Sequence, residues 1–304
     1  MAIIGGGPAA VAAGVYAARK RLKTLFIAET IGGQSTESPD VQNWIGTPHI
    51  SGAAMAKQLE AHLREYAGDT LELRLGERAT AITKNEGSFS VATSATNSLT
   101  QTVLVTTGGA RKKLEAEGAE QFEHKGVTYC ASCDGPLFTG TDVAVVGGGN
   151  AAFETAAQLL AYCKSVTLIH RQADFVRADK GTVDTVLKNL KMKTVVNAEV
   201  TKVSGEQFVK NVSVKDGTTG TVTELPVAAV FVEIGMVPAT GPVKSLVELD
   251  AYGRVKVDPK NQRASVPGIW AAGDCSDGLY HQNNIAAGDA VKALEDIYYF
   301  LKAR

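Results

Sequence analysis

The sequence is short of several things, and each shortage excludes a class of protein. Its 304 residues hold only four cysteines, too few for a disulfide-built scaffold. No apolar run approaches the roughly 20 residues needed to cross a bilayer, and the longest, such as VAAVFV at 227–232, are strand-sized. Neither charge is in excess. The 31 basic and 32 acidic residues leave −1 with histidine neutral, which removes the bulk electrostatic argument for a nucleic-acid or membrane-surface partner. Met1 runs directly into AIIGGG without a secretory leader pattern, so a cytoplasmic protein is expected, with its spare thiols reduced. Glycine, by contrast, is plentiful: 31 residues, and clustered. At about 150 residues per domain, the length predicts two domains.

The glycine clusters expose an internal duplication. Residues 2–10 read AIIGGGPAA and residues 144–152 read AVVGGGNAA, a constant offset of 142 with six of nine positions identical. Each copy continues into an Ala-rich helix and a second apolar strand, LKTLFIAE at 22–29 and SVTLIHR at 165–171. This is the G-x-G-x-x-A fingerprint of a dinucleotide-binding βαβ unit, written twice. Gly5 and Gly147 permit the tight turn out of the strand. Gly7 and Gly149 lack a Cβ, so a pyrophosphate can approach the backbone. Ala10 and Ala152 let the helix pack closely on the strand, and the helix N-terminus offers its N–H groups to phosphate. Pro8 suits a first-turn position, where its missing N–H costs little. The expectation is an α/β protein with two Rossmann-like nucleotide-binding domains.

The copies differ where the second strand ends. Glu29 lies 22 residues after Gly7, where a carboxylate can accept hydrogen bonds from a ribose 2′-hydroxyl. The matching position after Gly149 is His170, followed by Arg171, and a base there suits the 2′-phosphate of NADP(H). Arg177 is a second candidate for that phosphate, with Asp174 nearby working against it. The bland alternative makes both arginines solvated surface charges. Near the chain's end, VPGIWAAGDCSD at 266–277 is an apolar strand running into Gly273-Asp274, then a helix with Ala/Ile/Leu periodicity; Asp274 could equally be a cap at the helix start.

Cys130 and Cys133 form the one C-x-x-C, with Asp134 and Gly135 next. Half a zinc site is one reading, but structural zinc takes four ligands and no second pair exists. Two buried thiols is another. The third is a redox disulfide, with Asp134 placed to move a proton as thiolates form and disappear. Cys163 and Cys275 read as packing residues, and His49, His62 and His124 belong to no constellation.

Together, YCASCDG, the preceding GGARKKLEAEGAEQFEHKGV, GGQ at 32–34, QNWIG at 42–46, VGGGNAA, EIGMVP at 233–238 and AAGD at 271–274 resemble the low-molecular-weight thioredoxin reductase family along almost the whole chain. The CDGPLF wording is also similar to the flavoprotein subunit of alkyl hydroperoxide reductase. The resemblance implies an FAD domain split between 1–112 and 236–304, with an NADPH domain carrying the C-x-x-C inserted at 113–235. It implies that Gly5, Gly7, Ala10, Glu29, Gly33, Gln34, Asn43, Gly273, Asp274 and Gln282 serve FAD. Gly147, Gly149, Asn150, Ala152, His170, Arg171 and Arg177 would serve NADPH. By the same match Cys133 faces the flavin, Cys130 attacks the partner's disulfide and Asp134 is the acid. The implied partner is thioredoxin or a thioredoxin-like protein, the implied assembly a homodimer, and no metal is called for. Relatives that serve another dithiol, or draw on ferredoxin or NADH, are the alternative, and a low-turnover nucleotide-binding redox sensor is a third class.

Three departures from the family pattern stand out. Gln172 follows His170-Arg171 where a second Arg is usual, and Arg177 falls one residue late. His281 stands where an Arg usually precedes the Gln. The first strand has only residues 1–4 before Gly5, which reads as a trimmed chain or a frayed strand. Nicotinamide and C-x-x-C must both meet one flavin, so the inserted domain is expected to rotate about linkers near 111–114 and 235–238, with Gly108, Gly109 and Gly235 close to the hinges. Leu137 and Phe138 read either as an apolar anchor for the partner or as the start of a core strand. Residues 51–68 read as an amphipathic helix capped by Ser51, and 71–106 and 193–232 as two β-meanders.

Overall fold

The computed structural model describes residues 1–302 and divides into two compact units, Met1–Ala110 with Val237–Arg304, and Arg111–Met236. Unit 1 opens with β1 (Ala2–Ile4), helix α1 (Pro8–Arg19) and β2 (Thr24–Ala28), the first fingerprint. Helix α2 (Gly52–Ala67) leads to β3 (Leu71–Leu75). A three-stranded antiparallel meander follows, β4 (Ala79–Asn85), β5 (Ser88–Thr93) and β6 (Asn97–Thr100), then β7 (Val103–Val105). The chain leaves along β8 (Gly109–Arg111).

Unit 2 begins with β9 (Val127–Thr128) and the one-turn helix α3 (Ala131–Asp134). The second fingerprint follows as β10 (Asp142–Val146), α4 (Asn150–Leu160) and β11 (Ser165–Ile169). Helix α5 (Lys180–Leu187) leads to β12 (Met192–Val195). The meander here is β13 (Ala198–Gly205), β14 (Val209–Asp216) and β15 (Val222–Pro226), before β16 (Ala229–Val232). The chain returns along β17 (Met236–Pro238), which pairs with β8, and ends unit 1 with β18 (Ile269–Ala271) and α6 (Asn283–Lys302).

The parallel sheets run β18-β7-β1-β2-β3 and β12-β11-β10-β16-β9. Read from the fingerprint strand outward they share one order, with the second and third strands on one side and the strand after the meander on the other. The duplication therefore extends from the nine-residue motif to a whole α/β half. It also corrects the two-meander expectation. Residues 71–75 and 192–195 are the outer parallel strands beside β2 and β11, and β7 and β16 are parallel strands too; only the three central strands of each segment form a meander.

Burial explains the elements. The sides of β1 are both taken, by β2 and β7, and all three of its residues are buried. It is not frayed: Met1 also donates its terminal amine to the Lys23 carbonyl at 2.9 Å. Ala9, Ala10, Ala13 and Ala17 of α1 pack with Ala286, Ala290, Ala293, Leu294 and Ile297 of α6, whose spacing places them on one helical face. Small residues allow that close helix approach, as the fingerprint requires. Ser51 accepts the Ala54 N–H at 3.2 Å and Gly68 closes α2, as the sequence predicts. Near the linkers, Gly108 and Gly235 adopt φ of 64° and 109°, while Gly109 is ordinary strand.

Candidate active site

The C-x-x-C is held by unit 2 alone. Strand β9 is the edge strand beside β16, with Thr128 opposite Phe231, and it delivers the chain directly into Cys130. Cys130 is extended, at φ −143°, and caps α3; its Sγ accepts the Cys133 N–H at 3.2 Å. Cys130 and Cys133 are disulfide-bonded with Cα atoms 5.3 Å apart. The residues before the pair are anchored. Tyr129 donates to Glu123 at 2.8 Å, and Lys113 pairs with the same carboxylate at 2.9 Å. Thr128 donates to the Asp134 carboxylate. Behind the pair, a Cβ on Gly135 would lie 2.1 Å from the Tyr162 oxygen, so only glycine lets the turn settle against the end of α4.

Asp134 sits on the last residue of α3. Burial pushes its carboxyl above the ordinary aspartate range, opposed by the Thr128 hydroxyl and by the charge of His124. Its placement gives the disulfide a neighbouring group that holds its proton to higher pH than an exposed aspartate. Cys163 and Cys275 are buried, with thiols pushed up by desolvation, as packing residues should be. Phe138 packs edge-to-face on Phe231 at 5.9 Å within the core, whereas Leu137 is 67% exposed. Neither starts a strand: both lie in a short 3-10 turn over Gly135–Phe138, from which Phe138 packs against the core and Leu137 stays on the surface.

The second fingerprint lies in the same unit. Gly147 has φ of 149°, and a Cβ there would fall 2.4 Å from the Glu233 carbonyl and 3.1 Å from Ala152 Cβ. Nothing among the described residues lies within 4 Å of a Cβ built on Gly149. Asn150 begins α4 and accepts the Asp179 N–H at 2.6 Å, which ties the Arg177 loop to the helix start. His170 turns onto the backbone rather than outward. Its ring lies against Gly148, where a Cβ would be 2.2 Å from Nδ1, and stacks on Phe175 with centroids 5.4 Å apart. Burial lowers its pKa below the ordinary histidine range. Arg171 and Arg177 are exposed. Sequence reasoning passed over Glu233, whose buried carboxyl, pushed upward by desolvation, is held by Thr155 at 2.9 Å and Arg111 at 3.1 Å.

Unit 1 gathers the other candidates at the carboxyl edge of its sheet. Gly5, at φ 129°, would place a Cβ 2.2 Å from the Thr106 carbonyl. Gly33 faces Gly7, with a Cβ position 3.2 Å from the Gly7 Cα, so GGQ lies on the fingerprint turn. Gln34 donates to the Gly109 carbonyl, and Asn43 to Gln282 at 3.1 Å. Asn284 donates to the Asn43 carbonyl at 2.7 Å, binding the QNWIG loop to the start of α6. Gly273, at φ 74°, fits between Ala9 and Ala286, and Asp274 pairs with His281 at 3.3 Å. Ala10 is fully buried. Glu29, at the end of β2, is engaged by Arg78 at 2.8 Å. The middle glycines went unremarked in the sequence because G-x-G-x-x-A leaves that position open. A Cβ on Gly6 would fall 1.8 Å from the Thr30 carbonyl.

Two such turns, each opening a helix behind a glycine that supplies no side-chain cap, fit two dinucleotides. Residues 1–290 match the pyridine nucleotide-disulphide oxidoreductase family. The chain belongs to this family. Membership implies a flavin and a pyridine nucleotide, and the bonded Cys130–Cys133 pair supplies the disulfide. A thioredoxin reductase from Streptococcus pyogenes MGAS5005 is similar over 100% of this chain and 98% of that one, at 34% identity and a TM-score of 0.91. An NADH dehydrogenase of Bacillus subtilis is 35% identical over 299 residues, and an alkyl hydroperoxide reductase subunit of Staphylococcus aureus (strain Mu50) 37% over 302; each alignment covers 98% of this chain. The chain spans 58% of the length of those two curated relatives. Among the described residues no cluster of metal ligands occurs, and no helix is long and apolar enough to cross a membrane.

Proposed function

We propose that this oxidoreductase takes electrons from NADPH through FAD to the Cys130–Cys133 pair and hands them to thioredoxin or a thioredoxin-like protein. The observation that carries the reading is the bonded pair on a one-turn helix, next to a buried carboxyl and in the same unit as a second nucleotide fingerprint. FAD would be held by Gly5, Gly7 and Ala10 at its pyrophosphate, Glu29 at its ribose, and Gly33, Gln34, Asn43, Gly273, Asp274 and Gln282 nearer the flavin. NADPH would be held by Gly147, Gly149, Asn150 and Ala152, with Arg171 and Arg177 for its extra phosphate and His170 closing the turn. When bound, the two cofactors supply hydride transfer and the electron pair that opens the disulfide.

The chain's own chemistry is thiol–disulfide exchange. The Cys130 thiolate attacks one sulfur of the partner disulfide, and the departing partner thiolate takes a proton. The Cys133 thiolate then attacks Cys130 in the mixed disulfide, releasing the second partner thiol and restoring the intramolecular bond. Two electrons pass to the partner. Asp134 holds a proton beside these sulfurs, and the Cys133 N–H stabilises charge on Cys130 Sγ. Leu137 offers exposed apolar surface three residues beyond Asp134 for the partner to cover. The protein is read as a cytoplasmic homodimer.

A second reading draws on Gln172, the outward arginines and the curated relatives: the same core fed by NADH and serving another dithiol protein. Anaerobic stopped flow separates them. Fast flavin reduction by NADPH and reoxidation by thioredoxin is the expected result. Preference for NADH, or indifference to thioredoxin, selects the second reading. Purified protein that cannot be reconstituted to a yellow species overturns both.

A further inference from the structure

Thr128 was not singled out by the sequence, yet one hydroxyl there joins three elements of the redox turn. Thr128 is the last residue of β9, 4% exposed, and fixed by the pairing of β9 with β16. Its Oγ1 donates to Asp134 Oδ2 and receives the Cys130 N–H at 3.4 Å. The carboxyl and the helix-capping cysteine are thus referred to the same buried atom on a rigid strand. We infer that Thr128 is the positioning residue of the redox site: its hydroxyl fixes the orientation of the Asp134 carboxyl beside the cysteine pair. The inference rests on the reading of Asp134 as the acid.

The physical argument concerns what a donor does to a buried carboxyl. Desolvation favours the protonated acid, whereas a hydroxyl that donates to the carboxylate favours the ion. The two act in opposition at Asp134, with desolvation the larger. The other groups around the acid are few. His124, in the turn before β9, adds a favourable charge. Glu123 is committed to Lys113 and Tyr129. From the turn after α4, the Tyr162 oxygen abuts Gly135, and from α4 Gln158 meets Ser132 at 3.1 Å. The hydrogen bond that opposes desolvation at the Asp134 carboxyl comes from Thr128. A site that lacked it would keep its acid protonated to higher pH and leave the carboxyl without a fixed direction.

The test titrates Asp134 by its 13Cγ chemical shift in the oxidised protein, with the resonance assigned by its loss in Asp134→Asn. Thr128→Val keeps the shape and removes the hydroxyl; its midpoint should rise by about one pH unit, which is about 1.4 kcal/mol. Thr128→Ser should restore the original midpoint, a rescue that a role in packing alone does not predict. In the wild-type protein the Cys130 amide proton should titrate with the same midpoint as Asp134, a measurement that needs no variant to fold. An unmoved midpoint in Thr128→Val, or a Cys130 amide indifferent to that titration, overturns the inference. The pH dependence of partner-disulfide reduction supplies the second arm. If the midpoint moves and the alkaline limb of the rate profile does not, the inference fails at the catalytic role of Asp134 rather than at the Thr128 hydrogen bond.

Discussion

The two fingerprint halves share a scaffold and diverge at two places. Both place a left-handed glycine against the carbonyl of a neighbouring strand's exit, Thr106 for Gly5 and Glu233 for Gly147, and both start a helix behind an uncapped glycine. The first divergence is the end of the second strand, where Glu29 is met by Arg78 and His170 folds onto Gly148. The second is the fifth strand. In unit 1 it is β18, which runs on to Gly273-Asp274; in unit 2 it is β9, which runs on to Cys130. Both are parallel strands, so both deliver their chemistry to the sheet's carboxyl edge, where open α/β sheets bind ligands. The two halves share the support, and the candidate chemistry sits where they stop matching.

The largest expected effect comes from adding one methyl group to either turn. Gly5→Ala and Gly147→Ala each force a Cβ within 2.4 Å of a backbone carbonyl and strain a positive φ, at a cost on the order of 3 kcal/mol. Chemical denaturation should show comparable losses. The bound chromophore should separate the two: Gly5→Ala is expected to emerge with little flavin, whereas Gly147→Ala keeps its colour and loses bleaching by the pyridine nucleotide. Loss of flavin from both variants would break the assignment of one nucleotide to each half.

A smaller effect tests the ends of the second strands. On the proposed NADPH reading, Arg171→Ala would remove one charge-assisted contact to the 2′-phosphate, worth about 1.5 kcal/mol, so KM for NADPH should rise roughly 10-fold with NADH unaffected. Arg177→Ala should act in the same direction through the loop that Asn150 ties to α4. Equal changes for both nucleotides would make these arginines surface charges and return the strand end to scaffold.

The parts of this architecture that could be read in the sequence are those set by local chemistry. The duplication, the strand–glycine–helix order, the Ser51 cap and the burial of Cys163 and Cys275 all follow from residue type and spacing. Strand pairing was less accessible. Leu71–Leu75 and Met192–Val195 carry the same kind of turn signals as the meanders beside them, and only their tertiary neighbours, β2 and β11, make them parallel. Phe138 and Leu137 look alike as apolar residues, and the core takes only one of them. At the redox turn, Cys130, Cys133 and Asp134 announce themselves by spacing. Thr128, His124 and Glu123 do not, because a hydroxyl or carboxylate that acts through a neighbour leaves no pattern in the chain.

The smallest effect turns on the middle glycines. Gly148 faces the His170 ring, whereas Gly6 faces the Thr30 carbonyl, which takes up no proton in this range. Burial holds His170 below its ordinary pKa of 6.5, so the folded protein binds fewer protons there than the unfolded chain. The stability this contributes is complete above the unfolded value and is lost as pH falls through the depressed folded value. The ring is only partly buried, so the difference is a few tenths of a kcal/mol. Urea midpoints at pH 7.5 and 5 should therefore fall more in the wild-type protein than in His170→Asn, which cannot titrate. Because the first half has no matching imidazole, the loss should localise: hydrogen exchange at low pH is expected to quicken in α4 and β11 before α1 and β2. Uniform quickening in both halves would show that acid acts elsewhere than on this ring.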